Sequence, residues 1–294
     1  MAPLAFPRKS QDQRKHPMST QNEKGKAFRA LHQRDHAFII PNPWDIGTAR
    51  MLAHLGFESL ASTSGGYASS MGLLDGAVGR EVMIAHVSAL ASATDLPVSA
   101  DLENGFADAP EMVAETIRLA AAAGVVGGSI EDATGRTEQP IYDQALAAER
   151  VRAAAESARA LGFPFTLTAR AENYINGRPD LRDTIKRLQA YQEAGADVLY
   201  APGLTSKDDI ATLVRSVDRS VNVLMGLPGA SLNLAALSAI GVRRVSVGSA
   251  LARAALGAFL RAAREMQQDG TFGFAEHAAS SREISGMFAT TRQN

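Results

Sequence analysis

The sequence contains no cysteine, so disulfide bonds, thiolate catalysis and cysteine-bound zinc are excluded. It also lacks any apolar run near the roughly 18 residues that a membrane-spanning helix requires. Residues 1–20 are polar and basic, without the apolar segment of a secretory signal. We therefore expect a cytoplasmic protein that has no membrane partner.

An excess of charge of either sign is missing as well. The 30 lysines and arginines and the 31 aspartates and glutamates give a net charge of −1 and are mixed along the chain. A nucleic-acid partner usually requires a basic stripe, so we expect none. What the chain does have is 46% hydrophobic residues in a length of 294, which suits one large α/β domain.

The chain divides into a tail and one regular domain. We assign residues 1–26 to a flexible N-terminal tail and residues 27–294 to the domain. Within the domain, short β-rich segments alternate with alanine-rich segments whose apolar residues have helical spacing. The predicted strands are residues 37–42, 59–63, 97–101, 127–131, 165–169, 197–200, 221–225 and 243–247. The clearest of the intervening helices are predicted at residues 110–123, 144–161 and 181–194.

Eight strands that alternate with helices predict a (β/α)8 barrel, the TIM-barrel fold. Glycines such as Gly56 and Gly195 come just before strands, where glycine ends a helix in the left-handed conformation. A doubly wound open sheet is the alternative, but it usually carries an early glycine-rich dinucleotide loop, which this sequence lacks. Two further helices, at residues 249–267 and 276–288, extend the barrel, and we expect this extension to pack on a neighbouring subunit.

Acidic side chains end two neighbouring predicted strands. Asp101 and Glu103 end the third strand and face the same way if both are extended, and Glu131 ends the fourth. The active site of a (β/α)8 barrel lies at these carboxyl ends. Three converging carboxylates repel each other without a cation, and oxygen ligands without histidine or cysteine suit Mg²⁺ or Mn²⁺. The alternative is a set of solvated loop acids or helix caps.

Two other strand ends carry groups suited to an anionic substrate. Ser64, Gly65 and Gly66 follow the second strand, and their backbone N–H groups can approach a carboxylate or oxyanion closely. An ordinary glycine turn is the alternative there. Arg170 ends the fifth strand and either grips a substrate carboxylate or forms an ion pair with Glu172 or a metal-site acid.

Six short motifs stand at or near the predicted strand ends. They are Pro-x-x-Trp-Asp (41–45), Ser-Gly-Gly (64–66), Gly-Leu-Leu-Asp (72–75), Asp-Leu-Glu-Asn-Gly (101–105), Ser-Ile-Glu-Asp (129–132) and Thr-Ala-Arg-Ala-Glu (168–172). In their order and spacing the sequence resembles the isocitrate lyase/phosphoenolpyruvate mutase superfamily, from about residue 38 to residue 288. The resemblance implies a homotetramer, built as a dimer of dimers whose barrels exchange the C-terminal helix.

The resemblance also implies a metal site and an inner pocket. Asp101 would bind Mg²⁺ directly, with Glu103 and Glu131 holding metal-bound waters. Asp75 and Arg170 would complete the inner pocket next to the reacting atoms.

A substrate cradle is implied on the same grounds. Ser64, Gly65 and Gly66 would bind the carboxylate of an oxalate-like or pyruvate-like group. Trp44 would lie beside them, although a lone aromatic residue more commonly packs in a core.

Three departures from the family pattern affect the acid–base groups. Family lyases carry a cysteine in a mobile loop after the fourth strand, whereas residues 133–138 of this chain contain none. The branch of mutases and phosphonopyruvate hydrolases has a lysine directly after Glu-Asp, where this chain has Ala133. The tyrosine that lyases place two residues before Ser-Gly-Gly is Ser62 here.

The function expected from these features is Mg²⁺-dependent cleavage of a C–C bond in a small 2-oxo or 2-hydroxy mono- or dicarboxylate through an enolate. Decarboxylation needs the fewest of the missing groups, because water can deliver the proton. Tyr67, Glu172 and Tyr200 are candidates for an unfamiliar acid or base. The alternatives are a C–P enzyme, either a mutase or a phosphonopyruvate hydrolase, and a catalytically silent barrel that binds carboxylates.

Overall fold

Eight short strands form the centre of the computed structural model, which describes residues 19–289. Their bounds are β1 Phe38–Ile40, β2 Leu60–Ala61, β3 Val98–Asp101, β4 Gly127–Glu131, β5 Thr166–Arg170, β6 Val198–Tyr200, β7 Ser220–Leu224 and β8 Arg244–Ser246. Paired neighbours are parallel, in the order β1-β8-β7-β6-β5-β4-β3-β2. Each of the eight predicted strands is confirmed.

The two ends of this sheet, β1 and β2, meet along a seam. The Ala61 N–H donates to the Pro41 carbonyl oxygen at 3.1 Å. The Asn42 side chain donates through Nδ2 to the Ser62 carbonyl oxygen at 3.0 Å and accepts through Oδ1 from the Val247 N–H at 2.9 Å. The structure is therefore a nearly closed (β/α)8 barrel, as predicted, and not an open doubly wound sheet.

Helices surround the strands. Their bounds are α1 Gln21–His32, α2 Ile46–His54, α3 Ser64–Ser70, α4 Arg80–Ser92, α5 Pro110–Ala122, α6 Gln144–Arg159, α7 Leu181–Ala194, α8 Lys207–Arg215, α9 Leu234–Ala239, α10 Ala250–Gln268 and α11 Ser281–Ala289, with a short 3₁₀ helix at Gly273–His277. Gly56 and Gly195 have φ angles of 88° and 111° just after α2 and α7. They end these helices in the left-handed conformation, as the sequence predicts.

Helix α1 corrects the predicted boundary of the N-terminal tail, because residues 21–26 are helical rather than part of the tail. The Thr20 hydroxyl accepts from the Glu23 N–H at 3.2 Å, while the Glu23 carboxylate accepts from the Thr20 N–H at 2.7 Å. This capping box starts the helix. Lys24 then donates to the Thr94 carbonyl oxygen at 2.9 Å, and Phe28 is fully buried, which holds α1 on the barrel. The rest of the predicted tail, residues 1–18, lies outside the described residues.

The interior of the barrel is more polar than the usual filling of valine, isoleucine and leucine. Its polar members are Ser99, Ser129, Thr168, Asn222, Arg244 and Ser246. The larger apolar cluster lies on the outer side of the strands, where helix residues such as Val87, Ile117 and Leu188 are fully buried. Polar groups in the centre leave room for a cavity that opens at the carboxyl ends of the strands.

The C-terminal extension is helical, as predicted. Ala252 is the one buried residue of α10, and the large side chains of Leu256, Phe259 and Leu260 are exposed. Helix α11 packs on α2 of the same chain. Exchange of this extension between subunits stays a prediction. No helix within residues 19–289 combines the length and the apolarity needed to cross a membrane.

His32, at the end of α1, makes the stability of the fold depend on pH. Burial, and next the nearby Arg244, lower the pKa of His32 from 6.5 to about 3. Because the folded pKa lies below the unfolded one, stability is fully present above pH 6.5 and is lost as the pH falls toward 3. Lowering the pH from 7.5 to 5 should therefore remove about 2 kcal/mol of unfolding free energy through this group.

Urea unfolding at both pH values tests this expectation. His32→Gln should flatten the pH dependence, although His86, whose pKa burial lowers to about 4, retains a part of it. The matched control is His36→Gln, since the His36 side chain is 61% exposed. An unchanged pH dependence in His32→Gln would contradict the prediction.

Candidate active site

A cavity of about 260 Å³ opens at the carboxyl ends of the strands. Six of the residues predicted for the site line it: Ser64, Gly65, Asp75, Asp101, Arg170 and Tyr200. The other predicted residues lie around it without being among the described residues that line it: Trp44, Gly66, Tyr67, Glu103, Glu131 and Glu172. The structure therefore brings the predicted charged groups to one mouth. Some of them line the cavity, and the others lie outside its lining.

Asp101 lies at the centre of this mouth, at the end of β3. Its Oδ2 accepts from the Ser64 N–H at 3.0 Å and from the Ser64 hydroxyl at 2.9 Å. The Asp101 N–H in turn donates to the Ser62 hydroxyl at 2.8 Å. The start of α3 thus points at the aspartate, which places a favourable positive helix end beside the carboxylate.

Glu103 does not extend β3, so the premise that it faces the same way as Asp101 along one strand is wrong. Strand β3 ends at Asp101, and Glu103 has a φ of 49°, in the left-handed region. Burial, and then the charges of Asp101 and Asp75, raise the pKa of Glu103 to about 8. Its Oε1 is buried and has no hydrogen-bond partner among the described residues. A turn, rather than strand alternation, brings this carboxylate to the mouth. Its Oε1 can accept a further hydrogen bond.

Arg170 holds three carboxylates together from the end of β5. Its guanidinium contacts Asp101 at 3.0 Å, Glu131 at 3.1 Å and Glu172 at 2.7 Å. It also lies 5.2 Å from the centre of the Tyr200 ring. Arg170 thus forms the ion pairs that were one of its two expected roles, and it lines the cavity at the same time.

The acids at the mouth outnumber their cation. Burial raises the pKa of Glu131 well above its usual value, while the Arg170 charge opposes this shift. Burial also raises the pKa of Glu172, and partial burial followed by the charge of Asp101 raises that of Asp75. Negative charge is therefore unfavourable at this mouth, and either protons or an added cation would offset it.

Asp132, which was not among the predicted site residues, holds the backbone of Glu172 in place. Its Oδ1 accepts from the Glu172 N–H at 2.7 Å. Its Oδ2 accepts from the Tyr191 hydroxyl at 2.6 Å and from Arg187 at 3.0 Å. The signal was present in the sequence, because Asp132 ends the Ser-Ile-Glu-Asp motif. Asp132 positions the segment after β5 and does not line the cavity among the described residues.

The glycines after β2 allow close approach of their neighbours. A Cβ atom on Gly65 would lie 2.8 Å from Oδ2 of Asp75. A Cβ atom on Gly66 would lie 3.3 Å from the Cβ of Trp44 and 2.6 Å from a side-chain carbon of Thr63. These contacts place Trp44 beside the Ser-Gly-Gly segment and require small residues there, which goes beyond an ordinary glycine turn.

Tyr67, a predicted acid or base, points away from the cavity. Its ring stacks on that of His86 in α4, with centroids 3.6 Å apart and planes at 8°. It also packs against the main apolar cluster. Tyr200, in contrast, lines the cavity, and burial raises its pKa to about 12.

The loop after β4 is folded against its surroundings. Ala133 pairs with Ile141 in an isolated antiparallel bridge. Arg136 forms an exposed ion pair with Asp108 of the preceding loop at 2.8 Å. This loop stands where family lyases carry their cysteine, and here it contains none.

The residues present fit one direct Mg²⁺ ligand better than a cage of acids. No group of three or more acidic or histidine side chains among residues 19–289 is arranged to hold a metal jointly. Asp101 is central, and the unpaired Oε1 of Glu103 offers an acceptor for a bound water. That Glu103 and Glu131 act through water stays a prediction, which suits the tendency of Mg²⁺ to keep several of its waters.

A parallel eight-stranded barrel with charged groups from several strand ends at one mouth is the architecture of the (β/α)8-barrel enzymes. Within that class, the chain matches the family described as phosphoenolpyruvate phosphomutase over residues 28–267, and it belongs to this family. The superfamily that the motifs indicated is thereby confirmed, and it comprises lyases and mutases.

Two relatives accompany this family match, and a third protein shares the fold. A solved structure from Burkholderia cenocepacia, described provisionally as a lyase/mutase, is 63% identical, with a TM-score of 0.90 over 92% of this chain and 96% of that one. An oxaloacetate decarboxylase of Pseudomonas savastanoi is 27% identical over 86% of this chain and 88% of its own. A phosphonopyruvate hydrolase solved with oxalate and Mg²⁺ shares the fold, with a TM-score of 0.80, 24% identity and coverage of 92% and 96%.

Proposed function

We propose that the protein is a Mg²⁺-dependent enzyme that cleaves a C–C bond in a small 2-oxo or 2-hydroxy carboxylate, with decarboxylation of a 2-oxo dicarboxylate as the favoured reaction. The observation that carries this proposal is the excess of acids at the mouth. Five carboxylates interact with the single guanidinium of Arg170: Asp75, Asp101, Glu103, Glu131 and Glu172. A divalent cation would offset the remaining negative charge.

The roles proposed for the residues follow from their positions. Asp101 would bind the metal directly, and Glu103 and Glu131 would hold waters on it; Mn²⁺ could replace Mg²⁺. When bound, the metal would act as a Lewis acid that polarises the substrate's 2-oxo group. Ser64 and Arg170 line the cavity beside Asp101, where they would orient the substrate carboxylate.

Decarboxylation is favoured because it needs the fewest acid–base groups. The electron pair of the C–C bond to the leaving carboxylate would move toward the 2-oxo group, which gives an enolate and CO₂. Water or a side chain would then return one proton to the carbon. No cysteine can do this, and Tyr200 is the one of the three acid–base candidates that lines the cavity. The relationship to an oxaloacetate decarboxylase supports the same reaction.

A substrate panel tests the proposal. Purified protein should release CO₂ and pyruvate in equal amounts from oxaloacetate, or cleave a methylisocitrate-type substrate, with Mg²⁺ and not with EDTA. Turnover of phosphonopyruvate would favour the C–P alternative, against which Ala133 counts. Binding of oxalate without any turnover across the panel would favour a silent carboxylate-binding barrel and overturn the proposed activity.

We further propose that the protein is a cytoplasmic homo-oligomer, a dimer of dimers. The exposed apolar side chains of Leu256, Phe259 and Leu260 on α10 support this assembly, since a second subunit would cover them. Light scattering at a series of concentrations tests it, and a monomer at every concentration would contradict it.

A further inference from the structure

Arg244 is a second cation in the cavity, and it lies deeper than the metal-site acids. It is the first residue of β8 and lines the same cavity as Asp101 and Arg170, although only 5% of it is exposed. Strand residues advance about 3.3 Å each, so the backbone of Arg244 lies roughly 7 Å further back along β8 than that of Ser246. Its guanidinium contacts Thr168, two residues before Arg170 on β5, and His32 of α1. The charged side chains that line the described cavity are Asp75, Asp101, Arg170 and Arg244.

The partners of Arg244 are neutral. Its Nε donates to Oδ1 of Asn222 at 2.9 Å, and its Nη2 donates to the Thr168 hydroxyl at 2.9 Å. Its Nη1 lies 3.5 Å from Nε2 of His32. No carboxylate of residues 19–289 forms an ion pair with it, whereas Arg170 pairs with three.

His32 does not supply a negative charge or compete for an anion. Its Nδ1 lies 2.9 Å from the Phe28 carbonyl oxygen, which fixes the proton on Nδ1 and leaves Nε2 as an acceptor for Arg244. Burial lowers the pKa of Arg244 to about 10, so the guanidinium remains charged at neutral pH. Within residues 19–289 the barrel thus holds a buried positive charge that no carboxylate pairs with.

The surroundings of Arg244 suit an anion. A guanidinium carries five N–H donors, and the contacts to Asn222, Thr168 and His32 use three of them. Neutral hydroxyl groups of Ser99, Ser129 and Ser246 line the cavity nearby. A buried charge that has only neutral partners is unfavourable, and an anion that reaches it removes this cost.

We propose that this lower chamber, lined by Arg244, Asn222, Ser99, Ser129 and Ser246, binds a second carboxylate of the substrate, and that Arg244 is the residue that selects dicarboxylates. The inference rests on the proposed function, because it takes the first carboxylate to be held at the mouth beside Ser64. It narrows the substrates to molecules with an anionic group at each end. If Arg244 had only a structural role, it would link β5, β7, β8 and α1 without any effect on which substrate binds.

Calorimetry with the intact protein and Mg²⁺ distinguishes these roles. L-Lactate and L-malate share a 2-hydroxy acid end and differ by the second carboxylate, and oxalate probes the mouth alone. L-Malate should bind at least tenfold more tightly than L-lactate. Arg244→Met should abolish that difference and change oxalate affinity less than threefold. Arg244→Lys, which keeps the charge but not the planar fork, should restore part of the difference.

The control variant is Arg118→Met, since Arg118 is an exposed arginine of α5 that pairs with Glu115. It should leave all three affinities unchanged. Equal binding of L-malate and L-lactate to the unaltered protein would overturn the inference, and this comparison holds even if Arg244→Met fails to fold. Equal losses for oxalate and L-malate in a folded Arg244→Met would also overturn it. Absent oxalate binding would instead count against the proposed function.

Discussion

Asp101→Ala is expected to lower Mg²⁺-dependent turnover by about three orders of magnitude or more, because a direct metal ligand contributes several kcal/mol to the transition state. If Asp101 binds the ion as proposed, the variant should also lose the stabilisation of the fold by Mg²⁺, which would be about 2.7 kcal/mol with the ion at a hundred times its Kd. Both losses follow from the position of Asp101, whose carboxylate lies between Ser64 and Arg170 at the mouth.

Two measurements check this prediction: initial rates on oxaloacetate and thermal melting with Mg²⁺ or EDTA. Asp101→Asn serves as a second variant, since it keeps the size of the side chain and its contact with Ser64. Asp108→Ala is the matched control, because Asp108 is an exposed aspartate of the neighbouring loop that pairs with Arg136. A variant at position 101 with normal rates and a normal Mg²⁺ shift would refute the metal assignment.

Arg170→Met is expected to cost about 3–5 kcal/mol of unfolding free energy at pH 7, since removing one partner from a buried ion-pair cluster leaves uncompensated charges. The cluster is well shielded from solvent. The side chains of Arg170 and Glu131 are 15% and 16% exposed, and that of Glu172 is 1% exposed. The three carboxylates would repel each other without the guanidinium, so turnover should fall as well.

Urea unfolding in EDTA measures this loss without a contribution from metal. The matched control is Arg136→Met, because Arg136 contacts Asp108 in a pair whose side chains are 45% and 59% exposed. An exposed pair of this kind contributes at most about 1 kcal/mol. Losses of similar size in the two variants would show that the Arg170 cluster does not stabilise the fold.

The barrel was predictable because its signals are local and repeated. A parallel strand that is covered on its outer face reads as a short apolar run, and a glycine ends many of the helices before it. Strand ends then follow, and with them the positions of Asp101, Glu131 and Arg170. The capping box at Thr20 and Glu23 was an equally local signal, and reading it would have placed the start of α1 correctly.

The details of the site were less predictable, for reasons of backbone geometry and long-range packing. Glu103 reaches the mouth through a left-handed turn, which a rule for alternating strand residues does not describe. Tyr67 follows the Ser-Gly-Gly segment directly, but the helical turn of α3 carries its ring to His86. Arg244 gives no signal beyond a charge at the start of a strand, because its partners come from 22, 76 and 212 residues away.

The seam between β1 and β2 is the place where we expect the barrel wall to open locally. A single backbone hydrogen bond, from Ala61 to Pro41, and the Asn42 side chain join its two sides. Local opening breaks the fewest bonds at such a place, so fluctuations of the cylinder concentrate there. Asn42, on the β1 side of the seam, and Ser64, on the β2 side, both line the cavity. A substrate in contact with both sides would hold the seam together, so the rigidity of the barrel would depend on what its mouth contains.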